Sequence, residues 1–387
     1  MPLPPIRGHT EVRALLARGV RSGSLPQSIL IHGPSGVGKE RLGLWVAQAL
    51  LCEQSAGEPC GRCSPCRLVD RLEHPDLHWF FPMPRPEASS PEKLRDRLEE
   101  DRATELQRYR DDPFHEPEFE KAPAHFLASI RTLQQLSSVR PASGSRKVFV
   151  VGDAELMVPQ ESSPEAANAF LKLLEEPPGG TTLVLTSSQP GALLPTIRSR
   201  VLAIRVGLVS ENEIAELLVD GGLAKPADAA ILARRARGSV RRALRLAAAG
   251  EAGMDADRQA GRELLIAALT SGADARLGAA HDRRPAGARN ELIGQLDGLA
   301  EWLRDLLAVS TGAIERVTDS AAVPILKRAI EQREVSPLGV MKGIDRISEA
   351  RELAAGNVNP QLILADLLRQ LQRDLAPSRT APAGRRR

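Results

Sequence analysis

The sequence predicts an open, parallel α/β sheet with helices on both faces, followed by domains built only of helices. Short apolar runs alternate with amphipathic helical stretches as far as about residue 207, which is the pattern of a parallel α/β sheet. The run Lys147–Val151 is apolar on both faces, as a strand covered on both sides should be. From about Ser210 the strand signal stops, and long amphipathic patterns typical of packed helices follow.

The elements of the predicted sheet alternate in a regular order. Periodic apolar residues predict a helix over about 9–21 and another from Lys39 to near Leu51, with the strand Ser28–His32 between them. The stretch 74–80 has the composition of a strand that returns to the sheet. The later predicted elements are a helix from Phe126, the strand 147–151, a helix over 166–175, a strand over 182–186, a helical turn over 193–198 and a last strand over 201–206.

Composition divides the rest of the chain into three stretches. Helices rich in Ala and Leu over 208–250 form a compact unit, and a joint at Gly250 leads to longer helices over 254–375. The basic, Pro- and Ala-containing end, 376–387, is typical of a disordered tail. We therefore expect a sheet domain at 1–207, a small helical domain, a larger helical domain and a tail.

The bulk composition excludes several classes of protein. With 42% hydrophobic and 26% charged residues, the 387-residue chain has the composition of an ordinary globular protein. A net charge of +3 and 3% aromatic residues argue against a chain-wide basic field and against a stacking platform for single-stranded bases. No apolar run reaches the eighteen or so residues of a membrane span, and the N-terminus lacks the apolar core of a signal peptide. We expect a cytoplasmic protein without a membrane partner.

The segment from Gly33 to Glu40 predicts a phosphate-binding loop. Gly33, Gly36 and Gly38 allow successive backbone N–H groups to turn towards a polyphosphate, and Lys39 reaches the outer phosphates. The pattern then requires Ser or Thr to bind Mg²⁺, but Glu40 stands there, and its longer, charged side chain would crowd the phosphates. The alternative, a glycine-rich turn that binds nothing, is disfavoured by the predicted strand and helix on either side.

The four cysteines of the chain form one cluster, Cys52, Cys60, Cys63 and Cys66. A reducing cytosol disfavours disulfides, so the cluster indicates metal or redox chemistry. Four thiolates within one short loop suit tetrahedral Zn²⁺ and leave no open position, so the predicted role is structural. A redox pair, an iron–sulfur cluster and four unligated buried cysteines are the alternatives.

Residues 82–122 differ in composition from the segments around them. After a proline-rich start, Glu, Asp and Arg are dense and apolar residues are few. The stretch is predicted to be an insertion, with a solvated helix at about 91–110 and mobile flanks.

Several motifs in one order resemble a known family. They are Leu25–Ser28 before the glycine loop, the cysteine cluster behind the loop helix, His74–Asp76, the long segment Ala167–Pro178, the pair Ser199–Arg200 and Gly238–Leu244. Together they closely resemble bacterial DNA polymerase III clamp loader subunits of the AAA+ class, of both the gamma/tau and the delta-prime type. The resemblance runs from about residue 8 to 244, and the later helices suit the collar domain of that family. The insertion at 82–122 has no expected counterpart.

The resemblance implies roles for individual residues. The loop glycines and Lys39 match the Walker A motif that binds ATP with Mg²⁺. Arg200 matches the arginine finger that reaches the ATP site of a neighbouring subunit, where such a residue stabilises charge on the transferred phosphate. Arg241 matches the lid arginine called sensor 2.

Two departures from the family pattern concern the metal ion. The Walker B strand should end in Asp-Glu, but Gly152 takes the place of the first acid and Asp153 that of the second. Glu155 lies two residues further on, where we expect it to face solvent. Together with Glu40, this change alters both Mg²⁺ positions, and phosphoryl transfer relies on that metal. A further departure, Val201 after Arg200, leaves the arginine in place.

This combination favours a delta-prime-like stator that does not hydrolyse ATP and supplies an arginine finger in trans. Its implied partners are gamma/tau and delta clamp loader subunits and, through the complex, the sliding clamp and primed DNA. One alternative is an active gamma/tau-type ATPase in which Glu40 and Asp153 jointly bind Mg²⁺. Another is a zinc-dependent DNA-binding protein on a degenerate AAA+ scaffold, against which the weak net charge and scarce aromatic residues count.

Overall fold

The computed structural model of the protein divides into two compact units, residues 1–248 and 249–387. The residues that the structure describes are 2–54, 56–117, 119, 121–157, 165–269, 272–281, 289–318, 320–355 and 358–376. Most of the predicted tail, 377–387, lies outside these residues.

A five-stranded sheet organises the first unit. Its strands are β1 (Ser28–His32), β2 (Leu77–Phe80), β3 (Lys147–Val151), β4 (Thr181–Ser187) and β5 (Leu202–Arg205). They lie in the order β2-β3-β4-β1-β5, and every neighbouring pair is parallel. The predicted parallel sheet is confirmed, and its strand boundaries differ from the predicted ones by a few residues at most.

Helices precede, connect and follow these strands. In chain order they are α1 (Thr10–Ser22), α2 (Lys39–Leu51), α3 (Ser64–Asp70), α4 (Pro91–Asp111), α5 (Leu127–Ser138), α6 (Glu165–Glu175), α7 (Pro195–Arg198), α8 (Glu211–Asp220), α9 (Pro226–Ala236) and α10 (Val240–Leu269). Helix α10 has a non-helical residue at Gly250, with φ 61° and ψ −173°. The helical part of the first unit, residues 208–248, is called the lid below.

Alternate residues of each central strand enter different cores, so both faces of the sheet are covered. Ile31, Val150 and Val184 belong to the core that includes helix α2. Phe149 and Leu183 belong to the core on the other face, together with apolar residues of α5 and α6. Strands buried on both faces have near-continuous apolar sequences, which is why the runs along the chain predicted them.

The prediction of a solvated helix in the insertion is wrong in one respect. Helix α4 forms almost where predicted, but it packs against the edge of the sheet instead of standing in solvent. Leu98 and Glu105 are each only 2% exposed, and the Tyr109 ring lies 4.8 Å from that of Trp79. The few apolar residues recur at helical spacing, at 94, 98, 106 and 109. They form a stripe that the dense charges around it conceal in the sequence.

The His74–Asp76 motif fixes the chain between α5 and β3. Asp76 is fully buried, and its two carboxylate oxygens accept hydrogen bonds from the backbone N–H groups of Ala142 and Ser143, both at 2.7 Å. The Ser143 hydroxyl donates a third bond at 2.9 Å. A buried carboxylate needs such donors, so the motif is structural and sets the start of β3.

The second unit is built from helices. After α10 these are α11 (Ala273–His281), α12 (Arg289–Ser310), α13 (Val323–Arg333), α14 (Pro337–Ala355) and α15 (Pro360–Asp374). Within its core, the Arg258 guanidinium pairs with buried Glu301 at 3.2 Å and with buried Asp305 at 3.0 Å, and it lies 4.4 Å from the Trp302 ring. Among the described residues of the whole chain, no helix is long and apolar enough to cross a membrane.

Candidate functional site: a phosphate-loop cleft and an exposed arginine

The glycine-rich segment forms a loop between β1 and α2, as predicted. Gly36 and Gly38 have φ of 77° and 91°, which are left-handed conformations that favour glycine, and Gly38 is the N-cap of α2. The helix therefore begins at Lys39 with its N-terminal end at the loop. Helix α2 also lies close to the sheet, since a Cβ at Gly43 would be 3.1 Å from Val150. These features reproduce the framework of a phosphate-binding loop.

Lys39 is buried and already has partners within the chain. Its Nζ donates to the Pro34 carbonyl oxygen and to Ser188 Oγ, both at 2.9 Å. Burial lowers the pKa of Lys39, and the charges of Asp153 and Glu155 oppose that shift. The ammonium group thus lies between the loop and the end of β4. Ser188 is a site residue that the sequence did not single out, because it belongs to no part of the loop motif.

The two departures at the metal positions are in contact with each other. A Cβ at Gly152 would lie 2.9 Å from both Cδ and Oε2 of Glu40. The carboxylate of Glu40 therefore occupies the space next to β3 in which a Walker B aspartate would begin. A side chain at residue 152 would therefore require the Glu40 carboxylate to move.

Glu40 is also the most strongly perturbed acid of the cleft. Burial and the nearby charge of Asp153 raise the pKa of Glu40 to about 7, while Arg241 and Lys39 act in the opposite direction. Asp153 itself has φ 42°, and its backbone N–H donates to Thr186 Oγ1 at 3.1 Å. The cleft therefore brings together two carboxylates that repel one another.

Glu155 does not face solvent, so this prediction was wrong. The 3₁₀ turn Ala154–Met157 turns its side chain inward, where it is 9% exposed. Its Oε1 accepts hydrogen bonds from the backbone N–H groups of Ser188 at 2.9 Å and Gln189 at 3.2 Å. Glu155 thus holds the segment after β4 in place, which includes Ser188, the residue to which Lys39 donates a hydrogen bond. A turn of this kind gives little signal in the sequence, because it lacks a full helical period.

The lid rests directly on the tip of the phosphate loop. The backbone N–H of Arg241 donates to the Gly36 carbonyl oxygen at 3.0 Å, and the Ser239 hydroxyl and Arg241 Cβ fill the space beside the Gly36 Cα. The Arg241 guanidinium lies 3.8 Å from the Glu116 carboxylate of the insertion. The structure therefore places Arg241 at the loop, as the resemblance implies, and adds an insertion residue to this cleft.

Arg200 lies at the surface, after helix α7. Its Nη2 pairs with Glu175 at 2.8 Å, and its Nη1 donates to the Thr196 carbonyl oxygen at 2.9 Å. Its side chain is 36% exposed. These contacts hold the guanidinium beside the C-terminal end of α6, on the segment Ala167–Pro178 that carries part of the family resemblance.

The four cysteines form a cluster at the far end of α2. Their sulfur atoms all lie within 4.8 Å of one another, with Cys52 3.8 Å from Cys63 and Cys60 4.0 Å from Cys66. Tetrahedral coordination at a Zn–S distance of about 2.3 Å requires sulfurs about 3.8 Å apart. The backbone N–H groups of Arg62 and Cys63 lower the pKa of Cys60 to about 6, whereas burial raises the pKa of Cys52 and of Cys66. The cluster could hold one zinc ion.

The predicted site residues therefore fall into three places. Lys39, Glu40, Asp153 and Arg241 interact in the cleft around the glycine loop. Arg200 lies on the surface after α7, and the cysteines lie beyond the C-terminal end of α2. The cleft has the phosphate-loop framework without the usual metal-binding side chains. The arginine is accessible to a neighbouring molecule.

Relatives among curated proteins bear the name DNA polymerase III subunit delta prime. That of Pseudomonas aeruginosa is 34% identical over 172 residues, which are 44% of this chain and 40% of that protein. That of Escherichia coli is 28% identical over 377 residues, 95% of each chain. Among solved structures, a DNA polymerase III gamma subunit-related protein of Thermotoga maritima has 16% identity and a TM-score of 0.38, covering 93% of this chain and 98% of its own.

The family model that matches the chain covers the sheet domain. It is described as DNA polymerase III, delta subunit, and it matches residues 8–209, which are more than half of the 387 residues. The match includes the loop, the cysteine cluster and the Ser199–Arg200 pair, on which the resemblance was based. The chain therefore belongs to the DNA polymerase III delta-subunit family of clamp loader proteins.

Proposed function

We propose that the chain is a delta-prime-like clamp loader subunit that keeps a nucleotide-binding fold but does not hydrolyse ATP. The observation that carries this proposal is the contact between Glu40 and Gly152. It replaces the hydroxyl and the aspartate that hold Mg²⁺ in hydrolysing relatives of this fold. Without metal, the charge that develops on the β- and γ-phosphate oxygens lacks its divalent counterion, so turnover should be lost.

In this proposal the working residue is Arg200, which acts on a neighbouring subunit. An arginine finger has to be exposed and held at a fixed place on the surface, and Arg200 meets both requirements. Its ion pair with Glu175 is on the surface and contributes little to stability, so a phosphate in a neighbouring site can replace it. A guanidinium that enters such a site stabilises the charge of the transferred phosphoryl group.

The proposed partners are gamma/tau and delta subunits, and the sliding clamp and primed DNA are engaged through the complex. Relatives named DNA polymerase III subunit delta prime support this assignment. The cysteine cluster is proposed to bind one structural Zn²⁺, held by Cys52, Cys60, Cys63 and Cys66, because the spacing of the sulfurs fits tetrahedral coordination. All four ligands are protein sulfurs, so the ion would have no open position for catalysis.

The proximity of Glu40 and Asp153 supports one alternative function, that of an active ATPase. The charge of Asp153 raises the pKa of Glu40, so the two carboxylates lie close together, as two ligands of one Mg²⁺ ion would. In that case the chain is an active gamma/tau-type ATPase, with Lys39 contacting the phosphates. The two functions predict opposite behaviour of the isolated chain.

The deciding experiment is the steady-state ATPase of the purified chain, alone and with gamma/tau and delta subunits. We expect the isolated chain to show background turnover that Lys39→Ala does not change. Turnover that Lys39→Ala abolishes would establish the active ATPase instead. In the assembled complex, Arg200→Ala should lower DNA-stimulated turnover, whereas Arg198→Ala, an exposed control two residues away, should not.

A further inference from the structure

The insertion reaches the nucleotide cleft by way of a firmly attached helix. Arg102 holds helix α4 on the edge strand β2, since its Nη1 donates to the Trp79 carbonyl oxygen at 3.3 Å. Arg110 ties the same helix to the turn after α3, since its Nη2 donates to the Leu72 carbonyl oxygen at 2.7 Å. The Tyr109 ring packs against Trp79 and Phe81. The C-terminal end of α4 is therefore fixed relative to the sheet.

The chain that leaves α4 turns sharply and is itself held in place. Residues 112–117 are called the strap. Asp112 accepts a hydrogen bond from the backbone N–H of Phe114 at 2.9 Å, and its carbonyl oxygen accepts one from His115 N–H at 3.0 Å. The His115 ring reaches back to buried Glu105 on α4, with Nε2 2.5 Å from Oε1. These local bonds give the strap a defined course away from the helix.

The strap contacts the lid at two separate points. The Phe114 ring lies against Gly221, at the end of α8, where an added Cβ would be 3.4 Å from Cζ. The Glu116 carboxylate lies 3.8 Å from Nε of Arg241, near the start of α10. One contact is apolar and the other is ionic. The strap therefore joins two separate parts of the lid, the end of α8 and the start of α10, to the sheet through α4.

The lid also contacts two other parts of the first unit. The Arg241 backbone N–H donates to the Gly36 carbonyl oxygen of the phosphate loop, and Arg7 of the N-terminal segment pairs with Glu216 at 3.3 Å and with Asp220 on α8. In nucleotide-binding proteins of this architecture a bound ligand can contact both the loop and the lid. If it binds the closed state more tightly than the open state, it raises the fraction of molecules that are closed. In this chain, protein groups connect the lid to the loop.

The cations of the cleft have anionic neighbours within the chain. Lys39 and Arg241 lie near four carboxylates, those of Glu40, Asp153, Glu155 and Glu116. A triphosphate would bring further negative charge into a cleft in which carboxylates outnumber these cations. Glu116 thus supplies an anion for Arg241 from within the chain.

We infer that the strap, residues 112–117, fixes the lid over the phosphate loop and thereby replaces bound nucleotide as the element that holds this subunit closed. The inference deepens the proposed function, since it takes the cleft as a nucleotide site that no longer turns over. It also assigns a role to the insertion, for which the family resemblance implies none. The subunit would keep one conformation while ATP is bound and hydrolysed elsewhere in a complex.

Hydrogen exchange of the lid amides tests the inference in the full-length chain. Peptides from α8 and α9 are followed in the wild type, in Phe114→Ala/Glu116→Ala and in the control Glu92→Ala, an exposed residue in the first turn of α4. We expect the double variant to exchange about tenfold faster in these peptides, because local opening loses two of its restraints. The control should match the wild type, and Mg²⁺–ATP should leave the wild-type lid unchanged.

Two results would overturn the inference. One is lid exchange in the double variant equal to that of the wild type. The other is slower lid exchange of the wild type with Mg²⁺–ATP, since nucleotide would then hold the lid. Unchanged exchange in β3 and β4 verifies folding, and Glu116→Ala alone gives a milder variant with a smaller effect in the same direction. Failure of the arginine finger proposal would appear separately, as unchanged turnover of the complex with Arg200→Ala.

Discussion

The two places that the family resemblance singles out, the phosphate-loop cleft and the arginine after α7, are opposites in their contacts. In the cleft, Lys39 is buried, and its Nζ donates hydrogen bonds to two groups of the same chain. Arg200 has surface partners that a phosphate can replace. Under the proposed function, the cleft serves as a scaffold, and the exposed arginine is the group that acts on a neighbouring subunit.

The largest expected effect concerns the scaffold side of this comparison, at the cysteine cluster. Helix α2 starts at the phosphate loop and ends at Cys52, so a zinc ion there would fix the helix that forms the cleft. Cys63→Ser should release about one zinc ion per chain and destabilise the first unit by several kcal/mol, because structural zinc contributes directly to folding. Metal analysis and thermal unfolding measure both effects. A full zinc content in the variant would contradict the assigned ligands.

A smaller effect is expected from restoring the Walker B acid alone. Gly152→Asp should destabilise the chain by about 2 kcal/mol, because its side chain would collide with the Glu40 carboxylate. Adding Glu40→Thr should recover most of that loss, giving a coupling energy of about 1–2 kcal/mol in a double-mutant cycle. Urea unfolding of the four proteins measures it.

Gly191→Asp provides the control for this cycle. A Cβ at Gly191 has open space around it, so the substitution should cost little and show no coupling with Glu40→Thr. If the effects of Gly152→Asp and Glu40→Thr are simply additive, the two departures are independent changes and not one packed pair.

The last expected effect in this comparison is a pH dependence that belongs to Glu40. Its pKa is raised in the folded chain to about 7 from an ordinary value of 4.5, mainly by burial. Between these two values the folded chain binds more protons than the unfolded chain, so the contribution of Glu40 to stability falls as pH rises. Relative to Glu40→Gln, the wild type should therefore lose stability from about pH 5 to pH 8. Equal pH profiles would show that Glu40 is not buried with Asp153.

Much of the sheet domain could be predicted because its signals are local. The strand β3 is an uninterrupted apolar run, and the helix α2 follows a glycine loop with a strict spacing. The cysteine cluster was equally readable, since all four sulfurs come from one short segment. Elements of this kind can be predicted because the residues that define them are close together in the sequence.

The features that were missed depend on contacts between distant segments. The sequence shows both Glu40 and Gly152 as departures, but not that one side chain fills the space left by the other. Helix α4 looked solvated because its apolar stripe is narrow, and only the edge strand that it covers explains the stripe. The pairing of Glu116 with Arg241 joins residues 125 positions apart (241 minus 116) and has no local signal.

The most direct test sets the two places against each other in one reconstituted complex with gamma/tau and delta subunits. DNA-stimulated ATP turnover is measured with wild-type chain, with Lys39→Ala and with Arg200→Ala, after each complex has been shown to assemble. We predict that Lys39→Ala leaves ATP turnover unchanged. Arg200→Ala should remove most of the turnover at the neighbouring ATP site that Arg200 enters, because an arginine finger accelerates phosphoryl transfer about a thousandfold or more. Turnover lost with Lys39→Ala and kept with Arg200→Ala would contradict the account.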